Sequence, residues 1–66
     1  AKIKEAIQVC YDLTEKNKER EIKGLQEAMN KFKLKTGLIL TYDLDKMIKI
    51  DNKKITIKPV WKWLLE

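Results

Sequence analysis

The chain has no histidine, a single cysteine, one proline, two glycines and one arginine in 66 residues. Without histidine there is no Cys/His pair to hold zinc or to run thiol catalysis, and one cysteine cannot close an internal disulfide. A reducing, cytoplasmic setting is the expectation. The longest apolar run, Gly37-Leu38-Ile39-Leu40, falls far short of the roughly 20 residues that span a bilayer. The first residues lack the apolar core of a signal peptide, so no membrane partner is expected. There is no repeat, no low-complexity tract and no Gly/Ser linker. With 66 residues there is room for one small domain, which at this size buries only about 60% of its unfolded surface.

What is present is apolar side chain and lysine. At 44% apolar and 38% charged, with two Trp, the chain is too hydrophobic to stay disordered. Its net charge of +5 comes from 14 Lys and one Arg against 10 acids. That balance attracts nucleic acid, acidic proteins or anionic lipid. Lysine dominance argues against base reading, which leans on the planar Arg fork. A Lys/Glu/Ile-rich composition is also common in thermophile proteins, where charge serves solubility and stability.

Patterning predicts the order β-α-β-β-β-short helix in an α/β (α+β) domain with a small mixed sheet. In Ala6–Tyr11, Ile7, Val9 and Tyr11 share one face, and Ala6, Gln8 and Cys10 share the other. Both faces are mostly apolar, which suits a strand covered on both sides. Ile22, Leu25, Met29 and Phe32 follow at helical spacing after two candidate N-caps, Thr14 and Asn17. Glu19 with Lys23 and Glu27 with Lys31 form i,i+4 pairs in the favourable order. Gly24 and Ala28 flank the stripe and would let the helix approach a sheet closely. Lys33 is expected to end the helix in the left-handed conformation, with Leu34 folding back on the last turn. Lys35, Thr36 and Gly37 then turn the chain.

Leu38–Thr41 comes next, parallel to the first strand through a right-handed crossover. Lys46–Ile50 and Ile55–Lys58 make a hairpin. A turn at Asn52-Lys53 pairs Ile50 with Ile55 and Ile48 with Ile57, whereas a turn at Asp51-Asn52 sets Ile50 opposite Lys53. The first register is preferred for its single apolar face, with Pro59 stopping the ladder. Val60–Leu65 reads as a short helix or turn whose two Trp and two Leu pack away from water.

Three segments in order, Ile7–Leu13, Gly37–Asp43 and Pro59–Leu65, with Arg20-Glu21 and Leu25 between them, resemble the C-terminal end of archaeal-type AAA+ ATPases. The resemblance implies part of a restriction-endonuclease-like fold, with residues 1–66 as the C-terminal portion of a larger domain. The ATPase body lies upstream in that family. No Gly-x-x-x-x-Gly-Lys-Ser/Thr occurs here, so no nucleotide cofactor is expected. In such nucleases an acid-x-Lys pair on this strand holds a metal and activates water; here the pair falls on Gln8 and Cys10. A neutral amide is a poor magnesium ligand and a thiol offers no stable positive charge.

The resemblance therefore implies lost chemistry, with Gln8 as an amide bonded to a neighbouring backbone or helix group and Cys10 as a small core side chain. The leading expectation is a non-catalytic interaction domain docking on its own ATPase body or on a second copy. An alternative is a sequence-independent nucleic-acid-binding module using the hairpin lysines Lys49, Lys53, Lys54 and Lys58. Such lysines also guard sheet edges against strand addition. A second alternative is a metal-dependent nuclease remnant. Asp12, Asp43 and Asp45 follow the two parallel strands, where ligands of open α/β sheets sit, and they are the weak metal candidates. Acids at these places also make turns and caps.

Overall fold

The computed structural model describes residues 5–66. Its elements run β1 (Ala6–Val9), α1 (Lys18–Lys31), β2 (Thr36–Thr41), β3 (Lys46–Ile50), β4 (Lys53–Pro59) and α2 (Val60–Leu65), in the expected order. The strands form one mixed sheet ordered β1-β2-β4-β3. β1 and β4 both lie parallel to β2, and β3 is antiparallel to β4. Beyond Val9 the β1–β2 ladder continues through Cys10 N–H to Leu40 O (2.9 Å) and Tyr42 N–H to Tyr11 O (3.1 Å). β2 begins at Thr36, so two residues expected in a turn are strand.

α1 starts at Asn17, whose carbonyl accepts the first helical bond from Glu21 N–H at 3.0 Å. Its side chain does not cap the helix. Asn17 Oδ1 accepts from Thr14 N–H and Asn17 Nδ2 donates to Asp12 O, each at 2.8 Å, so the amide holds the loop leading in. The helix ends as expected. Lys33 stands at φ 56, Leu34 N–H bonds Met29 O at 2.7 Å and Lys33 N–H bonds Asn30 O at 3.2 Å. These two bonds are the paired closure of a Schellman motif, with buried Leu34 folded onto buried Met29. Neither i,i+4 pair closes: the ion pairs among the described residues are Arg20–Glu21, Lys58–Glu66 and Lys62–Asp45.

The core lies between α1 and one face of the sheet. Ile22, Leu25, Met29 and Leu34 pack on Ile39, Ile55 and Ile57. The close approach falls at Gly37 rather than Gly24. A Cβ at Gly37 would stand 2.7 Å from Met29 Sδ and 3.0 Å from Leu25 Cδ2, whereas one at Gly24 would meet only Gln8 Nε2 at 4.0 Å. The helix lies across β1 and β2, and the residue without a side chain at the close approach is in the strand.

The hairpin takes the register that was not preferred. Ile50 faces Lys53, Ile48 faces Ile55 and Lys46 faces Ile57. Asp51 (φ 50) and Asn52 (φ 64) form the turn, both left-handed. A two-residue hairpin loop of this kind needs positive φ at both central positions, and Asp and Asn tolerate it far better than lysine. The two registers differ by two residues, so each keeps the isoleucines on one face. Side-chain patterning therefore cannot choose between them, and the backbone of the turn does.

On the outer face Leu38 and Leu40 are buried without joining the α1-side cluster. α2 rests against β4 and β2, and its end is tied to that face by the ion pair of Glu66 with Lys58. The cover is partial. Ile7 and Val9 of β1 are exposed, Val9 at 55%, so β1 is covered on one side and not on both. Trp61, Trp63, Leu64 and Leu65 are exposed too, Leu65 at 81%, against the expectation that they pack away. A six-residue helix with apolar residues at five of its positions can turn only one side to the sheet.

Candidate functional site

Gln8 and Cys10 sit on the inner face of β1, in the same rows as Ile39 and Thr41 of β2. Gln8 Nε2 donates to Glu21 Oε1 at 2.8 Å, tying β1 to the first turns of α1. Glu21 is held on its other side by Arg20, whose Nε lies 3.7 Å from Oε2. Cys10 packs against the core. Burial pushes its thiol above the usual range, and the nearby carboxylate of Glu21 pushes it further. A neutral amide donating to a carboxylate beside a protonated thiol is a polar clamp between strand and helix. Glu21 is the partner that sequence reading did not assign; only the packing of α1 across β1 brings residues 8 and 21 together.

Of the three acids after the parallel strands, Asp12 holds Asn17 through its backbone carbonyl and not its carboxylate. Asp45 Oδ2 accepts from Lys62 Nζ at 2.7 Å, and that carboxylate raises the Lys62 ammonium above its usual range. Asp43 is exposed. The loop itself is set by buried Thr41, whose Oγ1 donates to Leu44 O (2.9 Å) and accepts from Leu44 N–H (3.0 Å). Among the described residues no three Asp, Glu, Cys or His side chains converge on one point.

The hairpin lysines divide. Lys49 and Lys54 face each other across the β3–β4 ladder, and Lys53 stands at its end beside the turn. Lys58 lies toward the opposite end of β4, bonded to Glu66, and leaves the group. Two others enter it. The parallel pairing of β2 with β4 sets Thr36 opposite Lys54, and Lys54 N–H donates to Lys35 O at 2.8 Å. Lys35 thus stands beside the hairpin, next to Lys33 at the end of α1. Two open hollows flank the Asp51-Asn52 turn. One, of about 320 Å³, is lined by Lys49, Lys53 and Lys54 with the turn. The other, of about 300 Å³, is lined by Lys33, Lys35 and Lys53 with Asn30 and Asn52.

The chain is 47% identical over 68 aligned residues to an uncharacterised protein of Methanocaldococcus jannaschii; the match covers 94% of this chain but 15% of that protein. The chain therefore spans about 15% of the length of the curated relative it matches. No family model matches the chain, and no solved structure matches it. No helix is long and apolar enough to cross a membrane.

Proposed function

We propose that the chain is a non-catalytic interaction domain, of the kind found at the end of archaeal-type AAA+ ATPases, and that its outer face docks on the body of a longer polypeptide. The observation that carries this reading is the apolar outer face. Ile7 and Val9 on β1 are exposed one strand along from a short helix that rests on β2 and β4 and exposes Trp61, Leu64 and Leu65, and the β1 edge has no strand partner among the described residues. Exposed apolar side chains beside an unpaired strand are unfavourable in water and mark an interface. The occupant is argued from length. In the relative the matched segment is 15% of the protein, which leaves most of that chain to supply the opposing surface. The resemblance of Ile7–Leu13, Gly37–Asp43 and Pro59–Leu65 to the ATPase tail supports an ATPase as that body.

The test mixes this domain with the remainder of the relative's chain, expressed separately, and measures binding by titration calorimetry. Binding that is lost in Val9→Lys and in Leu64→Lys supports the reading. A domain that stays monomeric and shows no heat with the body overturns it. Self-association abolished by the same variants would replace the body with a second copy.

A further inference from the structure

We propose that the end of the molecule at the β3–β4 turn binds the phosphate backbone of duplex DNA, without reading its sequence. The proposal is independent of the apolar face, which involves none of these residues. Five lysines gather there from three separate parts of the chain: Lys33 and Lys35 after α1, Lys49 on β3, and Lys53 and Lys54 on β4. None of the five has an acidic partner within ion-pair distance among the described residues, although Lys58 and Lys62 elsewhere both do. Asp51 is the single acid lining the two hollows.

The arrangement is electrostatically unfavourable in the free protein. Lys49 and Lys54 are direct cross-strand partners, and like charges so placed repel. An anion set between them relieves that repulsion, so the cost of holding the charges together is already met when the ligand arrives. The lysines lie on both faces of this end of the sheet, where the β3–β4 turn stands beside the start of β2. Register puts Lys49 and Lys54 on the outer face with Thr56, and Lys53 on the inner face with Ile55. Phosphates line both walls of a duplex groove, and ammonium groups on both faces of this end of the sheet then meet both strands. Ammonium groups are point charges without the guanidinium fork, and no aromatic side chain lines either hollow. Contacts of this kind position a duplex without specifying its bases. The apolar side chains that line the second hollow, Met29 and Leu34, are buried, which disfavours insertion into a lipid surface.

The experiment measures binding to a scrambled-sequence duplex DNA as salt is raised. Five phosphate contacts give a log–log slope of about −4.5, so affinity should fall about 500-fold between roughly 50 and 200 mM salt. Lys49→Gln with Lys53→Gln and Lys54→Gln should reduce the slope to about −1.8. Lys16→Gln with Lys18→Gln and Lys23→Gln, which remove equal charge outside both hollows, should leave it unchanged. If the first triple variant fails to fold, the exposed pair Lys49→Gln and Lys54→Gln should still reduce the slope by about 1.8. No retention of DNA at low salt, or an equal loss in both sets of variants, overturns the proposal.

Discussion

The two faces of the sheet are built from the same four strands and end up differently. The inner face is closed by a 14-residue helix with its buried stripe at regular spacing, and its central residues Met29, Ile39, Ile55 and Ile57 are fully buried. The outer face is covered by a six-residue helix that shields Leu38 and Leu40 and leaves Ile7, Val9, Leu64 and Leu65 in water. The difference teaches that apolar content and burial are separate properties. A strand that alternates between two apolar sets is covered twice only if the chain supplies two covering elements of sufficient length. Here it supplies one and a half, and the shortfall is the surface on which the proposed docking rests.

The largest effect that would break this contrast is a cavity on the inner face. Ile57→Ala should lower unfolding free energy by about 2–5 kcal/mol in urea denaturation, since Ile57 is fully buried in the cluster under α1. A loss below about 1 kcal/mol would show that this face is loosely packed. Overpacking comes next. Gly37→Ala places a methyl 2.7 Å from the buried Met29 sulfur and should cost about 1–3 kcal/mol. Gly24→Ala should have the opposite sign, a gain of about 0.5–1 kcal/mol, because the new methyl meets only an ordinary contact in an exposed helical position. The smallest expected change is on the outer face. Val9→Lys should shift stability by no more than about 0.5 kcal/mol, while removing association.

The clamp between β1 and α1 gives a pH signature. The Cys10 thiol is raised above its ordinary value of 9.0 by burial and by Glu21, so the unfolded chain releases this proton first as pH rises. The contribution is intact below pH 9.0 and is lost as pH climbs through the folded value. The urea midpoint should therefore fall more steeply above that pH in the native chain than in Cys10→Ala. Equal slopes would mean that the thiol is no more shielded folded than unfolded.

Much of the fold is legible in order along the chain. The α1 stripe, the left-handed stop at Lys33 and the parallel partner of β1 follow from local patterning, because helix periodicity and capping act over a few residues. Register was not legible. Two hairpin alignments two residues apart present the same face, and the choice fell to backbone conformation at Asp51 and Asn52. The candidate sites divide in the same way. Gln8 bonds a helix group, as its place on the strand suggests, but its partner Glu21 is 13 positions away and is set by the angle at which α1 crosses β1. Lys58 reads as one of the hairpin lysines along the chain and lies apart from them in space.

By itself the sequence determined the succession of elements, the helix boundaries to within a few residues, and an excess of positive charge without the means to pair all of it. Only the tertiary structure decided where that charge gathers and which apolar residues stay in water. Charge gathers because β4 inserts between β2 and β3, bringing Lys35 beside Lys53 and Lys54. Apolar residues stay in water because burial depends on the length and position of the covering helix, which no strand encodes in its own alternation.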